Sequence, residues 1–252
     1  MKDVYWSMTY PRALFSERNI LHDEPVSLLK ELRQQQQGVD QSIPGYLKCP
    51  SFLGACNNVF VVRNAVHVNA RVAGLRQFTA VDQESVDSVT LVRERPPTRL
   101  GYRIIGYWLH PLFFSTEPLM MAVMPAFMHH SEAQTKMGYI PGAFDIGKWY
   151  RPVDSAFELH PGVNQFCFKA GDPMFYVKFF TEERVRLIRY NVTEELEAIS
   201  HGCTRFSSYV PNQPLEKLYG MFEQADIRSR TLQLINENLA NPENNESERS
   251  DQ

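Results

Sequence analysis

The segment Arg151–Tyr190, RPVDSAFELHPGVNQFCFKAGDPMFYVKFFTEERVRLIRY, carries the densest strand pattern in this chain. An alternating apolar and polar run ends at Leu159, and Pro161-Gly162 behind it predicts a turn. The run Met174 to Phe180 is apolar on both faces, which is typical of a fully buried strand. We therefore predict a meander of short strands around a buried central one, as in β-sandwiches and barrels.

Turn and strand signals continue on both sides of the central run. In the turn before it, Gly171 is able to take a positive φ and Pro173 stops early ladder pairing. Upstream, 66–72 alternates as a half-buried strand, and 88–92 predicts another short strand. Prolines bracket 119–124, which favours a strand over a helix there.

Helical patterns lie near the two ends of the chain. We predict a helix over 24–37, with Asp23 as its N-cap and Pro25 in its first turn. A short helix is predicted to open at Thr193. The stretch 214–239 predicts one long helix or two, with a bend or break between 226 and 231.

These patterns predict a mainly β (α+β) chain with a β-sandwich or jelly-roll-like core. The expected division is a β-rich core domain over 1–192, including the helix near 24–37, and a helical segment over 193–240 packed on it. The polar segment 241–252 is expected to be a disordered tail.

Composition narrows the class of partner and the compartment. A net charge of −3 from 26 basic and 29 acidic residues argues against nucleic acid, which binds clustered Lys and Arg. The four cysteines match no zinc pattern and predict a reduced, cytosolic protein. The N-terminus lacks the apolar core of a signal peptide, and the longest apolar run, 119–128, is too short to span a bilayer. We expect a soluble protein without membrane partners.

No motif of high chemical specificity occurs in the chain. GxSxG, GxGxxG, GxxxxGK[ST] and HExxH are all absent, so no motif indicates a cofactor. Imidazoles from neighbouring strands of a β-sandwich often ligate a metal. The candidates for such a set are His67, His110, His129 and His160, with His130 and Glu132 adjacent. The more ordinary interpretation is a set of surface or hydrogen-bonded histidines.

A second set of residues is the candidate binding rim, placed where function would sit if the central segment is structural core. Arg184 and Arg186 share one face of a predicted strand and are suited to gripping a carboxylate or phosphate. The full rim consists of Arg151, Glu158, His160, Arg184 and Arg186.

Several pieces of the chain, spanning roughly 48–190, resemble a family of uncharacterised proteins encoded by tailed bacteriophages. They are Lys48-Cys49-Pro50-Ser51-Phe52, Glu117-Pro118-Leu119, Met124-Pro125-Ala126, Phe144-Asp145-Ile146, Trp149, Arg151-Pro152 and 169–177. The resemblance implies a phage origin and a jelly-roll-like or cupin-like sandwich. It carries over no catalytic residues.

Three functions follow as hypotheses. The first is a phage accessory protein, without catalysis, that binds a host or virion protein in the host cytoplasm or on the virion, with self-association as a further option. The second is a cupin-like metal-dependent enzyme that uses the clustered histidines. The third is a nucleic-acid or nucleotide binder that uses the arginine face, which the net charge disfavours.

Overall fold

The computed structural model describes residues 1–9, 24–36, 45–74, 76–97, 101–209, 213–224 and 226–240, with side chains for all of these except 206–209. The predicted N-cap Asp23 and the predicted tail 241–252 lie outside these ranges. The strands are β1 (Lys2–Thr9), β2 (Val26–Ser27), β3 (Val59–Arg63), β4 (Val68–Gly74), β5 (Gln77–Ala80), β6 (Val92–Arg95), β7 (Arg103–Tyr107), β8 (His110–Phe114), β9 (Met120–Pro125), β10 (Met137–Tyr139), β11 (Gly142–Asp145), β12 (Ser155–Leu159), β13 (Gln165–Phe168), β14 (Pro173–Phe179) and β15 (Val185–Arg189). The helices are α1 (Leu28–Gln35), α2 (Pro50–Cys56), α3 (Glu132–Lys136), α4 (Glu194–Tyr209), α5 (Leu215–Gln224) and α6 (Ile227–Glu237).

Within the described ranges the strands form four sheets around a shared core. A five-stranded sheet has the order β11-β9-β14-β3-β2, and a four-stranded sheet has the order β10-β12-β7-β6. Two three-stranded sheets follow the orders β15-β1-β8 and β13-β4-β5. The β1–β15 pair is parallel, and the pairs of the other three sheets are antiparallel. The mainly β class with added helices, predicted from the sequence, is confirmed.

The central strand β14 is buried on both faces, as the apolar run predicted. Phe175, Val177 and Phe179 point into the main core, which all four sheets share. Tyr176 points the opposite way, into a smaller apolar cluster beneath α1 and α2 that also contains Leu28. Because successive side chains alternate across a strand, a strand covered on both faces needs an unbroken apolar run.

The predicted meander over 151–190 is wrong, although each of its strands exists. Strands β12, β13, β14 and β15 enter four different sheets, where they pair with β7, β4, β3 and β1. The turns at Gly162 and Gly171 form as predicted, each with a φ of 82°. They do not close hairpins. Each turn leads the chain into another sheet, because the strand that follows pairs with a strand remote in sequence.

Three other boundaries differ from the predictions. The first helix begins at Leu28 and not at Glu24, because residues 26–27 pair with β3. Residues 88–91 form a 3₁₀ helix where a strand was predicted. The helix expected to be short, α4, extends over 16 residues.

The C-terminal helices pack on the β core. Leu196, Phe222 and Ile235 belong to the main apolar core, and the ring of Phe222 lies edge-on to Phe114 of β8. The predicted break between two helices falls at Asp226, where φ is 54°. The helices therefore close one side of the core.

Two further expectations concern the environment of the chain. All four cysteines are free thiols, and three of them are buried. Among the described helices, none has both the length and the apolar character needed to cross a bilayer.

Candidate functional site

A cavity of about 320 Å³ opens where the end of β9, helix α3, strand β10 and the start of β14 meet. Most of its lining is apolar. The lining residues are Pro125, Ala126, Phe127, His129, His130, Ser131, Ala133, Gln134, Met137, Gly138, Tyr139, Phe157, His160, Phe168, Asp172, Pro173 and Met174. Phe127 keeps 50% of its surface exposed, so part of this apolar site faces solvent.

Interlocked aromatic rings form the buried part of the lining. The rings of Tyr139 and Phe157 meet edge to face at 5.2 Å, and those of Phe157 and Phe168 lie 5.1 Å apart. All three side chains are at most 8% exposed. These edge-to-face and tilted contacts pack the three rings into one continuous aromatic wall.

His129 is held by hydrogen bonds at both of its ring nitrogens. Its Nε2 lies 2.8 Å from Oε1 of Glu31 on α1, and its Nδ1 lies 2.6 Å from the hydroxyl of Tyr176 on β14. A carboxylate only accepts, so Nε2 carries the proton. In the neutral ring Nδ1 then accepts from the Tyr176 hydroxyl, which itself accepts from the backbone N–H of Met128.

Glu31 also binds Arg63, whose Nη2 donates to the same Oε1 at 2.6 Å. Its carboxyl is 12% exposed, and burial alone would raise the pKa. The hydrogen bonds from His129 and Arg63 outweigh that effect, so the net result is a lowered pKa. These charge-assisted bonds tie α1 to β3 and to the segment after β9.

Tyr176 is fully buried, and that burial raises the pKa of its phenol. A phenol with a raised pKa is a poor nucleophile and a poor base at neutral pH. The Glu31–His129–Tyr176 chain of hydrogen bonds is therefore suited to fixing the cavity wall, not to activating a nucleophile.

His160 lies at an exposed part of the lining. Its Nδ1 lies 3.2 Å from the carbonyl oxygen of Thr135, which only accepts, so Nδ1 carries the proton. In the neutral ring its Nε2 is then an acceptor. His130 is also exposed, and like His129 it lies in the irregular segment between β9 and α3.

Asp172 is the one Asp, Glu, Lys or Arg side chain among the described lining residues. It belongs to the turn before β14, where its carbonyl oxygen accepts from the backbone N–H of Asn64 and its N–H donates to Lys169. The turn backbone is thus held independently of the carboxylate. Apart from its three histidines, the described lining therefore carries one negative charge and no Lys or Arg.

The structure divides the metal candidates among separate places. His129 and His160 line the cavity, whereas Nε2 of His67 faces the carboxylate of Asp82 at 3.2 Å. Nδ1 of His110 faces the carbonyl of Val153 at 3.0 Å. In the part of the chain that the structure describes, no three His, Cys, Asp or Glu side chains are arranged to hold a metal ion.

The candidate rim residues other than His160 lie outside the cavity lining. Arg186 of β15 forms a two-pronged ion pair with Asp3, with distances of 2.8 and 2.6 Å. Arg184 is exposed just before β15, and Glu158 lies half-buried on β12. Arg151 is half-buried, with its guanidinium 5.5 Å from the Phe144 ring. The structure therefore does not bring the five rim residues together.

Sequence reasoning missed two of the groups that organise the cavity. In the sequence, Glu31 is one of several charged residues on an amphipathic helix, and Tyr176 belongs to an apolar run that predicts a buried strand. Each becomes distinctive only through contact with His129, which is 98 residues from Glu31 and 47 from Tyr176. No pattern among neighbouring residues indicates a contact between residues this far apart in sequence.

Comparison with protein-family models finds no match, and comparison with curated proteins finds none either.

Proposed function

We propose that the chain is a binding protein without catalytic activity, which holds an apolar side chain of a protein partner in the cavity. The observation that carries this proposal is a pre-formed, largely apolar cavity that includes the half-exposed Phe127. Rigid apolar pockets of this kind receive the anchoring side chains of protein interfaces.

The size of the cavity supports a single anchoring group. A volume of 320 Å³ lies at the lower end of the usual range for ligand sites, roughly 300–1,000 Å³. A water molecule takes about 30 Å³ in the liquid, so the space corresponds to about ten waters. Such a space accommodates one aromatic or large aliphatic side chain.

The polar groups of the lining also favour binding over catalysis. Both nitrogens of His129 are used within the protein, and burial raises the pKa of the Tyr139 phenol as well as that of Tyr176. A general base needs a free lone pair within reach of the substrate and a pKa near the working pH. The resemblance to tailed-phage proteins adds a partner class, a host or virion protein met in the host cytoplasm or on the particle.

Filling the cavity tests this proposal. Ala133 is 5% exposed and lines the cavity, so Ala133→Leu adds bulk inside it. Ala143 of β11 is exposed and lies outside the lining, so Ala143→Leu is the matched control. Peptides selected from a random displayed library on the wild-type protein should share a large apolar residue. Their affinity should fall at least about tenfold with Ala133→Leu and stay unchanged with Ala143→Leu.

The contrary result is equally clear. If Ala133→Leu keeps the wild-type melting temperature and the selected peptides still bind it with full affinity, the cavity is not the binding site. Failure to select any peptide with an apolar anchor would also count against the proposal.

A metal-dependent enzyme is the alternative hypothesis, although the three imidazoles that line the cavity, His129, His130 and His160, are not arranged to hold a metal ion. Elemental analysis of the purified protein separates the two. A stoichiometric metal that is lost in His160→Ala would replace the binding proposal with this one.

A further inference from the structure

We infer that the group received by the cavity is an aromatic ring carrying a protonated amine, and not an anion. This inference rests on the proposed binding function and names the chemistry of the anchor. It follows from the polar groups that the lining leaves available, from its charge and from its aromatic wall.

Some hydrogen-bonding groups of the lining are already used in bonds within the protein, and others are available to a ligand. The side chain of Gln134 is used, since its Oε1 accepts from the Ser131 N–H and its Nε2 donates to the Ala126 carbonyl. Both nitrogens of His129 are used as well. The available acceptors include the Asp172 carboxylate, which carries the charge, and Nε2 of His160 in its neutral ring. The His130 ring and the Ser131 hydroxyl can each donate and accept, so they suit either kind of ligand.

The balance of these groups favours a ligand that donates. An entering ammonium or N–H finds acceptors at Asp172 and His160, with no Lys or Arg in the lining to repel it. A carboxylate or phosphate meets the Asp172 charge with no Lys or Arg in the lining to offset it. The site thus discriminates by charge sign.

The aromatic wall also favours a cationic ligand. The rings of Tyr139, Phe157 and Phe168 present π-electron density, which attracts a nearby cation and stacks with a second ring. The volume suits one indole or phenol ring with a short amine arm. On a protein partner the same chemistry is an aromatic residue next to a lysine or to a free amino terminus.

Three small probes with the same ring test the inference. Tryptamine carries an ammonium, tryptophol a neutral hydroxyl and indole-3-acetate a carboxylate, and calorimetry at pH 7 measures each affinity. We expect tryptamine to bind about fivefold more tightly than tryptophol, the size of a half-exposed ion pair. Indole-3-acetate should bind more weakly than tryptophol.

The variant Asp172→Asn removes the charge and keeps the shape and backbone contacts of the turn. It should lose most of the fivefold preference for tryptamine and keep only what the aromatic wall contributes, while its tryptophol affinity stays at the wild-type value. Glu84→Gln is the matched control, because Glu84 is exposed, lies outside the lining and changes the net charge by the same amount. This control should keep the fivefold preference.

Each alternative outcome overturns the inference. Equal affinity of the wild-type protein for the three probes shows that the lining does not select a cation. A preference that survives undiminished in Asp172→Asn shows that the Asp172 carboxylate does not supply the selection. Absence of tryptamine binding to the wild-type protein shows that the anchor is not an aromatic amine. None of these results bears on the proposed binding function, which the peptide selection with Ala133→Leu decides separately.

Discussion

The Glu31 carboxylate joins three parts of the chain, and Glu31→Gln isolates the contribution of its charge. The substitution keeps the side-chain size and keeps an acceptor at Oε1 for Arg63 Nη2 at 2.6 Å and for His129 Nε2 at 2.8 Å. What it removes is the negative charge. The second carboxylate oxygen, Oε2, is buried without a hydrogen-bond partner within the described ranges, so the new amide gains nothing there.

The expected cost follows from the two hydrogen bonds. A bond to a charged group contributes about 1.5–3 kcal/mol, and a neutral bond about 0.5–1.5 kcal/mol. Each of the two bonds therefore weakens by about 1 kcal/mol, and we expect Glu31→Gln to lower the free energy of unfolding by about 2 kcal/mol at pH 7. Urea denaturation followed by circular dichroism measures this difference.

The pH dependence gives the sharper test. Because the folded-state pKa of Glu31 is lowered, its carboxylate stabilises the fold above the unfolded-state pKa. That stabilisation is lost as the pH falls through the folded-state pKa and the wild-type group takes up a proton. The difference between the wild type and Glu31→Gln should thus be largest near pH 7 and shrink below pH about 4.

An exposed ion pair serves as the control. Glu132 pairs with Lys136 one helical turn away and is exposed, so Glu132→Gln should cost no more than about 0.5 kcal/mol. The reasoning is refuted if Glu31→Gln costs no more than this control at pH 7. It is also refuted if the cost of Glu31→Gln is the same at pH 3.5 as at pH 7.

Two further predictions concern backbone packing and the buried phenol. A Cβ added at Gly147 would lie 2.0 Å from the backbone oxygen of Glu117, so Gly147→Ala should cost at least about 3 kcal/mol. Gly54 lies inside α2, and a Cβ added there meets nothing within 4 Å, so Gly54→Ala should instead raise the melting temperature. Calorimetry measures the melting temperatures of both variants, and equal shifts would contradict this prediction. Tyr176→Phe removes the hydroxyl that accepts from the Met128 N–H, so we expect a loss of about 1–3 kcal/mol in urea denaturation. A loss below about 0.5 kcal/mol would mean that this hydroxyl does not stabilise the cavity wall.

Residue patterns predict only part of the candidate site. His129 and His160 stand out in the sequence as histidines near strand ends, and the structure places both in one cavity. Their roles depend on partners that no pattern indicates, since Glu31 holds the first and the Thr135 carbonyl holds the second. Arg186 stands out equally in the sequence, yet Asp3 neutralises it 183 residues away.

Local chemistry by itself determined the strands of 151–190, the turns at Gly162 and Gly171 and the double-faced burial of β14. The alternation of apolar and polar residues, the turn residues and the apolar runs each involve only a few neighbouring positions. They can therefore be recognised in the sequence without knowing the rest of the structure. Only the tertiary structure decided that the four strands of this segment join four different sheets. Backbone hydrogen bonds are the same for every pair of strands, so the choice of partner depends on how all the apolar faces close around one core.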